Sequence, residues 1–198
     1  MNELRYLLES GESFVEGLSF VGEVVEDLEF MDGMEFHQCT FENCTFHHCH
    51  LNRMIFSDCT FLHCDLSNSS LKNSGLHNLR WVDSKWVGTS IFDSRIRNCK
   101  LLECNLRYSV LDACKISECT LDTCYAPYMR FSEIQWKDMS IRNTDLSNSE
   151  FVQTKLKGID LSSCQIEGIS VSLQDLRGVE VDVAQALQLC SLFGINVK

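Results

Sequence analysis

Residues 36–50 read FHQCTFENCTFHHCH, which places three cysteines and four histidines in fifteen positions. A metal centre would gather both residue types around one point, so the spacing decides the reading. The cysteines stand at 39, 44 and 49, five apart, and two residues after each comes a large apolar residue: Phe41, Phe46 and Leu51. The stretch is a five-residue repeat before it is anything else.

Counting in fives from Phe36 reaches Val181 through thirty consecutive centres without an insertion or deletion, and only Ala126 among them is not large and apolar. Two positions before each centre stands a second biased residue, mostly Cys, Ser, Thr, Met or Ile, and two positions after it Asn, Asp, Glu and Gly are frequent. The last set favours turns. A period of five fits neither an α-helix nor a simple strand. It fits a chain that turns a corner every five residues and closes a coil every twenty. The centre and the residue two before it then point inward, as alternation along an extended segment requires. One coil cannot bury its apolar ladder alone, so neighbours share the stability.

This phase disposes of the metal reading. Eleven of the twelve cysteines (39, 44, 49, 59, 64, 99, 104, 114, 119, 124 and 164) fall in the inward position, where a thiol serves as a small hydrophobe. The histidines occupy outward phases. Zinc needs convergent ligands, and here sulfur is expected inside and imidazole outside. Carboxylates such as Asp58, Asp83 and Asp93 fall at corners, and no Gly-rich phosphate loop is present. The sequence gives no catalytic residues, no cofactor site and no metal site, and it is read as a non-enzyme.

The repeat pattern resembles the pentapeptide-repeat family over about residues 18–181. The resemblance implies an all-β fold, a right-handed quadrilateral β-helix of about eight coils. Before residue 36 the phase slips by one: Leu18-x-Phe20 and Leu28-x-Phe30 keep the spacing, and Met31-Asp32-Gly33 is read as carrying the extra residue. Residues 1–17, with Leu4, Tyr6, Leu7 and Leu8, are expected to form an N-terminal cap.

Residues 182–198 are expected to close the other end. Asp182 suits a helix N-cap with Gln185 as its capping-box partner, and Gly194 suits the stop. Val183, Ala186, Leu187, Cys190 and Phe193 form one stripe, widened by Leu189 and Leu192, and Ile195 and Val197 alternate like a short strand. That is more apolar surface than a cap requires. It predicts a homodimer through Leu187, Leu189, Leu192, Phe193, Ile195 and Val197. The ending DLRGVEVDVAQALQLCSLFGINVK is also similar to the close of the quinolone-resistance (Qnr-type) members of the family and their gyrase-inhibiting relatives. That resemblance implies a type II topoisomerase, DNA gyrase or topoisomerase IV, as partner, bound by an acidic rod that imitates DNA.

The chain of 198 residues has a net charge of −11, one proline and twelve cysteines. Residues 1–42 hold eleven acids and one base, Arg5, so the rest of the chain is nearly neutral. Such a balance argues against nucleic acid as a direct ligand. The start, MNELRYLLESGE, lacks a secretory pattern, and no stretch approaches a membrane span. A cytoplasmic location with reduced thiols is the expectation.

Two internal features stand out. Leu62, Val82 and Leu102 each follow a centre and lie twenty apart, so they should stack as an outward apolar stripe flanked by Arg80 and Lys100, a candidate partner surface. A proline cannot donate to a ladder, so Ala126-Pro127 is a candidate bend. The rival to topoisomerase binding is an interaction scaffold with another protein partner, using that stripe or the acidic end.

Overall fold

A corner every five residues needs a backbone that reverses at each one. In the computed structural model, which describes residues 3–29 and 31–197, the residue two after each centre supplies it. Asn43, His48, Asp58, Asn78 and most of their equivalents hold φ between 45° and 61°. Asn and Asp tolerate this left-handed region better than other non-glycine residues. Even Ala113, Tyr108 and Tyr128 adopt it, so the stack imposes the corner where the side chain does not favour it.

The three-residue strands between corners stack in parallel, each on the one twenty residues away, into a four-sided β-helix of about eight coils. Face 1 carries strands Phe14–Glu16, Glu35–His37, Ile55–Ser57, Gly75–His77, Arg95–Arg97, Lys115–Ser117 and Gln135–Lys137. Face 2 carries Ser19–Val21, Thr40–Glu42, Thr60–Leu62, Arg80–Val82, Lys100–Leu102, Thr120–Asp122 and Ser140–Arg142. Face 3 begins with Val24–Glu26 and Thr45–His47 and continues as single bridges, Asp65↔Lys85↔Asn105↔Tyr125↔Asp145↔Gln165. Face 4 runs from Met31–Asp32 to Ser170–Val171.

Inside, the centres stack like on like. Phe41 lies 4.5 Å from Phe61 between ring centroids, and Phe61 lies 3.5 Å from Trp81. The eleven inward cysteines are buried and free, as the repeat requires. They also do more than fill space: Cys64 Sγ lies 3.4 Å from the carbonyls of Phe41 and Leu62. Serine at the same phase does this more strongly. Ser69 donates to Phe46 O at 2.6 Å and accepts from Cys49 N at 3.0 Å. Thiol and hydroxyl are thus interchangeable small groups serving carbonyls one coil away.

Several sequence expectations need correction. The first coil begins at Phe14, not 18, with Val15 as its buried centre paired to Phe36. Val25 pairs with Phe46 across 21 residues, whereas Met31 pairs with Leu51 across 20. The extra residue therefore lies between Asp27 and Met31, and Gly33 is an ordinary corner at φ 83°. Phe30, part of the expected spacing, lies outside the described residues. At the far end the centres Val171, Leu176 and Val181 are only half-buried, because the chain from Ser172 runs in turns instead of strands.

A further correction concerns Ala126-Pro127. The ladder is unbroken there: Tyr108 N donates to Pro127 O at 3.2 Å, and Tyr128 N to Ser147 O at 2.9 Å. On face 3 from Leu66 onward each corner is a tight turn, closed at this coil by Met129 N to Ala126 O at 3.3 Å. Pro127 takes the second position of that turn and Tyr128, at φ 58°, the third, the arrangement in which proline is favoured. In other coils the N–H at this position is met by a side chain two residues earlier: Ser67 by Asp65, Arg107 by Asn105, Ser147 by Asp145. Tyr125 offers no such acceptor, and Pro127 has no N–H to satisfy. The pair is consistent, and no bulge results.

Both ends are covered. Helix α1 (Glu3–Glu9) buries Leu4 and Leu8 over the first coil. Helix α2 (Val183–Leu192) begins with the expected capping box, Gln185 N donating to Asp182 Oδ1 at 2.7 Å and Asp182 N to Gln185 Oε1 at 2.9 Å. Another correction is to its faces. The helix buries Gln185, with Leu189, Cys190 and Phe193 half-buried, while Val183, Ala186, Leu187 and Leu192 face outward. Gln185 Nε2 donates to the carbonyls of Leu161 and Cys164 at 2.8 and 2.7 Å, so the docking point is a polar plug on the last coil. Ile195 and Val197 form no strand, since the single chain offers them no partner edge.

Candidate functional site

The interior holds no site for chemistry among the described residues. A void of about 40 Å³ beside Trp81, Trp86, Leu101 and Leu106 is apolar throughout, far below the volume of a ligand pocket. Burial pushes the Cys59 thiol up to about 12, and the Cys44 thiol together with burial pushes Cys64 up as well. Thiols held protonated are poor nucleophiles and poor metal ligands. The histidines sit on the outer wall: His48, His50 and His63 are exposed, and His37, His47 and His77 half-exposed. What remains for function is the outside of the four faces and the two ends.

Face 2 assembles the expected stripe. Thr60, Arg80 and Lys100 are register partners, and so are Leu62, Val82 and Leu102. The three apolar side chains are half-buried and the two cations exposed. Glu42 precedes this column and Asp122 follows it, so an apolar strip three coils long is closed by a carboxylate at each end.

The sequence reading missed an aromatic corner between faces 3 and 4. Tyr108 and Tyr128 stack at 5.2 Å, the Arg107 guanidinium lies 4.5 Å over the Tyr108 ring, and Tyr125 is exposed nearby on the same coil as Tyr128. The signal was the twenty-residue interval between Tyr108 and Tyr128.

The C-terminal end leaves apolar side chains in water. Val183 is 80% exposed, Ile195 55%, Val197 57%, Leu187 46% and Leu192 45%, while Leu189 and Phe193 are half-buried. Of the residues predicted to form a dimer contact, four therefore lie on open surface and two are half-buried, Leu189 of these against the core. At the other end, Glu9, Glu12, Glu16, Glu26, Asp27 and Glu29 are exposed around the first coil.

A family model described as the pentapeptide repeat region matches residues 34–111 and 94–171. No curated protein matches the chain in sequence. Among solved structures, a trypsin-treated form of QnrB1, a plasmid-mediated fluoroquinolone resistance protein, is 21% identical with a TM-score of 0.54, covering 94% of this chain and 100% of that one. HetL, a pentapeptide repeat protein involved in heterocyst differentiation regulation in the cyanobacterium Nostoc sp. Strain PCC 7120, is 14% identical with a TM-score of 0.34. It covers 91% of this chain and 94% of that one.

Proposed function

This chain belongs to the pentapeptide-repeat family, and from that premise we propose that it is a non-enzymatic interaction protein that binds a type II topoisomerase. DNA gyrase or topoisomerase IV is held by an acidic surface that imitates DNA. The observation that carries this reading is the charge of the first coils, where residues 1–42 set eleven acids against one base on a rigid, preorganised wall. Fixed negative charge on a rigid scaffold competes for a DNA-binding surface without chemistry and without an ordering cost. The fold shared with a fluoroquinolone resistance protein makes topoisomerase the first partner to test, in a cytoplasmic setting that keeps the thiols reduced.

The same proposal includes a tail-to-tail homodimer through Leu187, Leu189, Leu192, Phe193, Ile195 and Val197. An exposed apolar end of this kind is covered most simply by a second copy. The segment at Ile195–Val197 would then find in the partner the strand edge it lacks in one chain. At ~4.8 Å per coil the repeat is about 40 Å long, and the dimer twice that, with an acidic tip at each far end.

The test is a supercoiling assay with purified gyrase, titrated with this protein with and without a fluoroquinolone. Restored supercoiling in the drug's presence, or inhibition in its absence, is the expected result. No effect up to tens of micromolar contradicts the reading for that enzyme. The apolar column Leu62–Val82–Leu102 favours a second reading, a scaffold for another protein. Under it, gyrase is unaffected and capture of the partner is lost when those three residues become serine.

A further inference from the structure

Stacking at twenty-residue intervals brings together outward residues that look scattered in the chain. On face 1, from the fourth coil onward, the outward strand positions are Gly75 and His77, then Arg95 and Arg97, Lys115 and Ser117, and Gln135 and Lys137. Lys155 and Lys157 follow at the next coil. From Gly75 to Lys157 six cations and no carboxylate thus hold the outward positions of one wall, before Asp175 and Arg177 at the coil after, in a chain whose net charge is −11. All six are exposed. Arg97 meets Glu118 at 3.5 Å and Lys137 meets Asp138 at 4.0 Å, both at corners. Arg95, Lys115, Lys155 and Lys157 make no ion pair with another described residue.

The wall is also hollowed. The face 1 sheet ends at Gln135–Lys137, and residues 155–157 do not continue it as a strand. Trp136, a centre that should be buried, is instead half-exposed, and its indole N–H donates to Lys155 O at 2.6 Å. A groove of about 450 Å³ lies on one side of Trp136, bordered by Arg95, Arg97, Lys115 and Lys137. Another of about 500 Å³ lies on the other side, bordered by Lys155, Lys157 and one carboxylate, Glu133. His77 feels the field: burial first, then Arg97 and Arg95, hold its pKa below the usual histidine range.

We propose that this trough is a docking site for an extended acidic segment of a partner protein, lying along the helix axis across Trp136. Charge complementarity gives the sign of the occupant, and the width gives its class. A three-residue strand spans only ~10 Å, and the corners beside it carry Asp93, Glu118, Glu133 and Asp138. A nucleic-acid duplex, with a major groove alone ~12 Å wide, overhangs those carboxylates. A single nucleic-acid strand fits the width but binds by stacking successive bases on aromatic rings. This wall offers one half-exposed indole with its N–H already engaged and, three coils away, the imidazole of His77. An extended polypeptide carrying several carboxylates fits the width, reaches with flexible side chains the cations stacked along the coils, and rests apolar atoms on Trp136. The site is independent of topoisomerase binding, which the acidic first coils would serve.

The test is fluorescence anisotropy with a labelled glutamate-rich dodecapeptide, a glutamine-rich peptide of equal length, and a single-stranded oligonucleotide. The acidic peptide should bind, and about tenfold more weakly between 50 and 300 mM salt, because exposed pairs are screened. The double variant Arg95→Glu, Lys115→Glu should weaken it about tenfold or more, with an unchanged melting temperature. The double variant Arg80→Glu, Lys100→Glu on face 2 should leave it within about twofold. Equal binding of the glutamine peptide, equal losses in both variants, or tighter binding of the oligonucleotide would overturn the assignment. So would concentration-dependent self-association abolished by the face 1 variant, which would put a second copy's acidic tip in the trough.

Discussion

Faces 1 and 2 are neighbouring walls of one helix, each seven strands long with the same register and the same kind of inward residue, and their outer surfaces share almost nothing. Face 1 from Arg95 to Lys137 is a bare cationic wall, while face 2 sets an apolar column, Leu62–Val82–Leu102, beside Arg80 and Lys100 and ends it in Glu42 and Asp122. The difference teaches where this fold is constrained. Centres, the positions two before them and the corners are fixed by burial and backbone geometry. The residues on either side of each centre are free, so function is written there and fold alone does not give it.

The largest break in that division comes from alkali. Burial holds Cys59 protonated up to about 12, while an unfolded thiol ionises near 9.0. The unfolded chain therefore releases these protons first. Stability is full below about pH 9 and is lost as pH rises towards 12. Eight of the eleven inward cysteines are shifted upward, against Cys44, Cys119 and Cys124, whose thiols a neighbouring thiol's hydrogen bond shifts downward. The helix is therefore expected to lose stability steeply between about pH 9 and pH 12. Circular dichroism and urea unfolding that stay unchanged across that range would mean the thiols are not buried in solution.

Phe61→Ala comes next. Phe61 is buried between Phe41 and Trp81, and its loss should cost about 3–5 kcal/mol in urea unfolding. Leu62→Ala, one residue along and facing out, should cost about 0.5 kcal/mol or less. Equal costs would erase the distinction between inward and outward positions. Gln185→Leu removes half of the capping box and leaves Cys164 O without its donor, while Leu161 O keeps the bond from Cys164 N. A loss of about 1–3 kcal/mol is expected, with amide exchange quickening first in the last coils. Smallest is Pro127→Ala, at about 0.4–1 kcal/mol through the freer unfolded chain. A loss beyond about 2 kcal/mol would restore a structural role for a bend.

The inner half of this architecture was legible because burial repeats. Thirty centres and eleven thiols in one phase left a single consistent winding, and the Asp182–Gln185 box could be read from four residues. Features that depend on contacts between coils were not legible. The misplaced extra residue near Met31 is an example: Leu28 and Phe30 imitate the repeat spacing, and only the pairing of Met31 with Leu51 shows which phase won. Pro127 reads as a candidate bend until its place in the turn that face 3 repeats from Leu66 onward is visible. The cations of face 1 lie scattered along the chain among Arg80, Lys85 and Lys100, which twenty-residue stacking sends to other walls. The terminal strand failed because alternation in Ile195 and Val197 says nothing about whether an edge is available.

The central claim, that frame and function occupy separate positions, is tested most directly by one comparison of unfolding free energies. A variant carrying Leu62→Ser, Val82→Ser, Leu102→Ser, Arg95→Gln, Lys115→Gln and Lys137→Gln changes six outward residues on two faces. The account predicts that all six together cost less than the single change Phe61→Ala, at about 3–5 kcal/mol. A sixfold variant less stable than Phe61→Ala would show that the outer wall is part of the frame.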